Sequence, residues 1–136
     1  MAKLADFAPP AKVQLSALWT AVMFLYVYGD YFNLYQPGKI EAVSHGSLGI
    51  GLDTNTASII GAGMMTVPSV MIWLSLVTPP LLSKWLNAPL GVVYSLILAV
   101  TMLRAAPFYL MLGVVEIALT LTIAVTALRW PKAAAS

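Results

Sequence analysis

The sequence predicts an all-α fold, an integral membrane four-helix bundle. Its helices run up-down-up-down, with the N and C termini cytoplasmic. Three observations predict it. Of the 136 residues, 60% are hydrophobic and only 9% are charged, with a mean hydropathy of +0.88. Soluble domains carry about 25% charged residues, so a surface this poor in charge must face lipid. Four long apolar runs are punctuated by proline and glycine. The basic residues gather in the flanks of one side.

A single domain over residues 1–136 is expected, with spans at about 13–35, 56–77, 89–104 and 107–130. A bilayer core of about 30 Å takes roughly 20 apolar residues as a helix. The leader MAKLADFAPPAK has no apolar stretch before a cleavage site, so the first span reads as a retained anchor. That span ends at the turn signal QPGK. Asp53, Thr54 and Asn55 offer caps for the second span, which stops at Pro79-Pro80. Pro68 lies inside it, where a missing donor and a clash with the preceding turn predict a kink. Pro89 and Pro107 are expected at the first turns of spans three and four, where proline is tolerated best. The tail AAAS reads as frayed.

Basic flanks set orientation. Lys3, Lys12, Lys84, Arg129 and Lys132 fall on one side, and Lys39 and Arg104 on the other. The first side is therefore predicted to be cytoplasmic, and the loop Gln36 to Asn55 external. Trp19, Trp85 and Trp130 are expected in the cytoplasmic interfacial belt, and the deeper Trp73 in packing. Ile40 to Leu52 is expected to form a short amphipathic helix that lids the bundle.

Three charges sit in or at the spans. Ionisable groups there are costly, face the bundle interior and have partners. At 1.5 Å of rise per residue, Asp30 lies roughly 7–8 Å and Glu116 about 13 Å from the outer side, with Arg104 at the outer end of span three. Residues three or four apart share a helix face. Asp30 therefore aligns with Tyr26 and Asn33, Glu116 with Tyr109, Gly113 and Thr120, and Arg104 with Thr101 and Tyr94. The predicted binding residues are Asp30, Arg104, Glu116, Tyr26, Asn33 and Tyr109, around an outward-opening polar pocket. Two readings stay open. The charges form a structural network that fixes helix register, or they form a working pocket. With two acids against one base, one carboxyl is expected to be protonated or to need a cation, and the deeper Glu116 is the better proton carrier.

Other features carry less. Cysteine is absent, which excludes disulfides, thiol catalysis and thiolate metal sites. His45 is the one histidine, too few ligands for a metal site with Glu41 or Asp53. No cofactor is predicted. Gly49 to Gly51 lacks the Gly-Lys-Ser/Thr ending of a phosphate loop. Ala57 and Gly61 have the small-xxx-small spacing of close helix contacts, inside the bundle or in a homodimer. No nucleophile–base constellation appears, so the reading leans away from an enzyme. The net charge of +2 and scattered basic residues give no reason to expect nucleic acid.

The segments LSALWTAVMFLYVYGDYFNLYQPG and FYLMLGVVEIALTLTIAVTALRW resemble a family of small bacterial four-helix membrane proteins of unknown function. Tyr28, Gly29, Asp30, Phe32, Pro37, Gly38, Glu116 and Trp130 carry the resemblance. It covers nearly the whole chain. The architecture is also similar to the DoxX-like four-helix group, some of which is tied to quinone-linked oxidation. The resemblance implies a multi-pass protein of the bacterial inner membrane and draws attention to Asp30 and Glu116. It implies no activity. The first expectation is a non-enzymatic membrane protein that binds a small apolar or amphipathic ligand, or a subunit of a larger membrane complex. The alternatives are a small proton-coupled transporter, alone or as a homodimer, and a quinone-linked redox subunit.

Overall fold

The computed structural model describes residues 7–45 and 54–131, apart from the side chains of Thr54 and Arg104. The described residues form α1 (Ala11–Leu34), α2 (Lys39–Ser44), α3 (Thr54–Val77), α4 (Pro80–Thr101), a 3₁₀ turn (Met102–Arg104) and α5 (Pro107–Leu128). The four long helices are long and apolar enough to cross a membrane, so the chain is a small membrane protein. Lipid cannot satisfy backbone N–H and C=O groups, and helices satisfy their own.

Local chemistry sets the helix ends. Pro10, with extended backbone, precedes α1, and its carbonyl accepts from the amides of Val13 and Gln14 at 2.9 and 3.1 Å. The Gln14 side-chain amide also donates to the Pro9 carbonyl at 2.7 Å. After α1 the chain turns at Gly38, the one described residue with positive φ, at 76°. Such a backbone favours glycine. The short α2 follows, buries no residue and touches chiefly α1. The rest of the expected lid, and the cap Asp53, lie outside the described residues.

The third span differs from the sequence expectation. It starts at Pro80 rather than Pro89, and Pro89 lies inside the helix. Pro79 takes the N-cap and Pro80 the first turn, leaving only a two-residue link from α3. The polar residues Ser83, Lys84 and Asn87 look like loop when read alone. In the fold Asn87 is fully buried, and its side chain gathers a network from three helices. Trp19 Nε1 and Ser75 Oγ donate to Asn87 Oδ1 at 2.7 and 3.1 Å. Asn87 Nδ2 donates to the Ser83 carbonyl and hydroxyl at 2.8 and 3.2 Å. Those bonds offset the cost of burying an amide. At its far end α4 passes through the 3₁₀ turn, and Ala106 with Pro107 starts α5 as expected.

The tryptophans also change places. Trp19 is fully buried in the core, edge-on to Tyr94 with ring centroids 5.7 Å apart. Trp73 faces outward, 62% exposed. The hydrogen bond to Asn87 explains the reversal, since an indole N–H can be buried only with a partner. Trp130 packs against the core, and Trp85 alone of the expected belt is exposed.

Helix contacts follow small residues. A Cβ built on Gly91 would lie 2.6 Å from the Thr120 carbonyl oxygen and 2.9 Å from the Ala124 nitrogen. Only glycine allows α4 and α5 to approach so closely. The spacing at Ala57 and Gly61 does not mark such a contact among the described residues, because a Cβ on Gly61 or Gly63 meets none of their atoms within 4 Å. α3 packs mainly on α1, α1 on α5, and α5 on α4, while α3 and α4 touch little. Pro68, Met71 and Ser75 are buried in α3, yet none of residues 55–67 is.

Candidate functional site

The loosely packed part of the molecule holds a cavity of about 180 Å³. All four long helices line it. Tyr26 and Asp30 come from α1, Gly61, Met64 and Met65 from α3, Ile97, Leu98 and Thr101 from α4, and Tyr109 from α5. The arrangement follows from helical spacing: Tyr26 and Asp30 are one turn apart, as are Ile97 and Thr101. Asp30 and Thr101 are the exposed residues of that lining, so the cavity opens beside them. The glycine at position 61 leaves open space on the α3 wall.

Glu116 lies on the buried face of α5, with only 3% of its surface exposed. Its Oε2 has no hydrogen-bond partner among the described residues. It lies within electrostatic range of Asp30, Tyr26 and Tyr109. A buried polar group without a partner costs about 1–3 kcal/mol, and more when charged. One helical turn away, the Thr120 hydroxyl lies 2.7 Å from that of Ser95 and 2.9 Å from the Glu116 carbonyl oxygen. These hydroxyls do not reach the Glu116 carboxyl. Beside the cavity, the Tyr94 hydroxyl donates to the Met64 carbonyl at 2.7 Å and ties α4 to α3.

The sequence-predicted residues are therefore placed unevenly. Asp30, Tyr26 and Tyr109 meet at one cavity, and Glu116 stands within reach of their charges. Asn33 shares the face of Asp30 but does not line the cavity. The backbone of Arg104 closes the 3₁₀ turn after α4, and its side chain lies outside the described residues. Sequence reasoning missed the apolar wall of Met64, Met65, Ile97 and Leu98, because apolar residues in an apolar span give no signal. Gly61 did stand out, though as a packing residue.

A larger groove of about 600 Å³ runs between the facing ends of α1 and α5, lined by Phe32, Tyr35, Gln36, Phe108, Met111 and Leu112. It holds no ionisable group other than the Tyr35 phenol. His45 caps the end of α2. Among the described residues no three His, Cys, Asp or Glu side chains gather as a metal site would need.

Chemically, the smaller cavity combines a carboxyl at its mouth, two phenols, a threonine hydroxyl and a thioether and aliphatic wall. Comparison with known proteins finds a family model, a family of unknown function (DUF6326), that matches residues 2–136. No curated protein matches the chain, and neither does any solved structure. The chain belongs to the DUF6326 family.

Proposed function

We propose that this family member is a non-enzymatic, four-span protein of the bacterial inner membrane that holds a small ligand in the cavity beside Asp30. It acts alone or as a subunit of a larger membrane complex. The observation that carries this reading is the cavity itself: all four long helices converge on it, and there an apolar wall meets a carboxyl, two phenols and a threonine hydroxyl. Cavities in well-packed interiors are few, and concave sites with an apolar wall and a few polar groups are where small molecules bind.

An up-down-up-down order with cytoplasmic termini goes with this reading. Neighbouring side chains support it: Lys12 donates to the Leu76 carbonyl and Ser69 to Met23, a pair of contacts that fits opposite runs of α1 and α3. The pairs Ser75–Asn87 and Met64–Tyr94 fit the same for α3 with α4, and Gly91–Ala124 with Met102–Gly113 for α4 with α5. The basic flanks supply the orientation. Because the chain lacks cysteine, one cysteine introduced at Glu41 reports the side directly. It is expected to react in intact cells with a membrane-impermeant maleimide.

The ligand reading is tested by native mass spectrometry of protein released from nanodiscs. Wild type is expected to carry a small-molecule adduct. Gly61→Leu, which extends a side chain into the open space, is expected to lose it. An adduct untouched by Gly61→Leu, or a bare wild type, overturns the reading.

A second reading, a proton-coupled transporter, is favoured by the buried Glu116 oxygen, which has no hydrogen-bond partner among the described residues. It predicts ligand-induced proton release in detergent that disappears in Glu116→Gln. Unchanged release in that variant removes Glu116 from the mechanism.

A further inference from the structure

Resting on the ligand reading above, we infer that the cavity takes a small amphipathic amine, with its ammonium head between Asp30 and the two tyrosines and its apolar body against α3 and α4. Three features of different origin converge on this class. First, the ionisable groups that line the cavity among the described residues are acidic or phenolic, namely Asp30, Tyr26 and Tyr109, and none of the described lining residues is basic. The carboxyl of Glu116, buried and with an oxygen lacking a partner among the described residues, adds to the same field. Second, two of the lining rings are tyrosines. Aromatic faces attract alkylated ammonium groups, and the attraction grows when the cation is desolvated. A carboxyl with aromatic rings recognises an ammonium head better than it does a neutral or anionic one. Third, the remaining wall is Met64, Met65, Ile97 and Leu98. Methionine adapts to the shape of a flat or flexible apolar body.

Size narrows the class further. An apolar cavity of about 150 Å³ accepts benzene, and this one is about 180 Å³. It therefore takes an aryl or short alkyl body, with the head at the mouth where Asp30 is exposed.

Benzyltrimethylammonium is the probe, and neopentylbenzene is its neutral isostere. Equilibrium dialysis against the full chain in nanodiscs is expected to give saturable binding of the cation. The isostere is expected to bind at least about tenfold more weakly. Asp30→Asn should weaken cation binding by about tenfold, which is 1.4 kcal/mol, while Asp30→Glu restores it to within about threefold. Equal binding of both probes with no effect of Asp30→Asn, but loss of both in Gly61→Leu, overturns the amine class and leaves the ligand reading standing. Cation binding that survives Gly61→Leu overturns the site. Failure of a folded wild type to bind the cation also overturns the amine class; the small-molecule adduct in the mass spectrum then decides the ligand reading separately. If Asp30→Asn does not fold, Tyr109→Leu serves in its place, with the same tenfold loss expected for the cation and none for the isostere.

Discussion

At one end of the bundle, Asn87, Ser75, Ser83 and Trp19 are fully buried and hydrogen-bonded into one network. At the other end Asp30 lies exposed at a cavity, and Glu116 is buried with one oxygen that has no partner among the described residues. Both ends place polar side chains among apolar helices. In the first, each polar group meets another across a helix contact, and the helices are drawn together. In the second, the polar groups face a space and the half of α3 before Pro68 stays unburied. Polar residues in a span thus have two uses. Satisfied, they tie helices; unsatisfied, they leave a cost that only a ligand, a proton or another partner offsets.

Substitutions that test this contrast fall in an order of size. The largest effect is expected at Gly91, where any side chain meets the backbone of α5 at 2.6 Å. Gly91→Val should destabilise the protein by about 3 kcal/mol through overpacking, read by denaturant titration in mixed micelles. A loss below about 1 kcal/mol would mean that α4 and α5 are not held at this distance. Next comes Asn87→Leu. It strips partners from Trp19, Ser75 and Ser83, and at about 0.6 kcal/mol for each bond in a membrane protein it should cost about 2 kcal/mol. The Trp19 emission should shift at the same time, which separates loss of the network from a change elsewhere.

Glu116→Met is expected to act in the opposite direction. Removing a buried oxygen that lacks a partner among the described residues should stabilise the protein by about 1 kcal/mol. A loss of stability instead would show that the carboxyl is tied into a structural ion pair, and the two ends would then be built alike. The smallest effect belongs to Gly61→Ala, since a Cβ there meets no atom of the described residues within 4 Å. Its stability should stay within about 0.5 kcal/mol of wild type, and a larger loss would mean the α3 wall is packed after all.

How much of this was readable in the chain varies by residue. The turn at Gly38 and the start of α5 at Pro107 were legible, because proline and glycine act locally. Asp30, Tyr26 and Tyr109 were legible as a group, since a charge in an apolar run stands out and helical spacing aligns its neighbours. The start of α4 was not legible. Ser83, Lys84 and Asn87 read as loop until Trp19 and Ser75 supply their partners. The faces of the spans were equally hidden, because a helix apolar all round shows no period. That is why Trp19 and Trp73 were assigned to each other's surroundings.

Composition and local punctuation by themselves determined that this chain is a membrane protein with four helices long and apolar enough to cross a membrane. They act on each segment separately, through hydropathy and through the backbone limits of proline and glycine. Tertiary structure alone decided which residues face inward, where α4 begins, and that Asp30 opens onto a cavity while Asn87 does not. Those outcomes depend on pairs distant in sequence: Trp19 with Asn87, Gly91 with Thr120, Tyr94 with Met64. In lipid, where apolar faces are interchangeable, such close contacts and hydrogen bonds choose the packing.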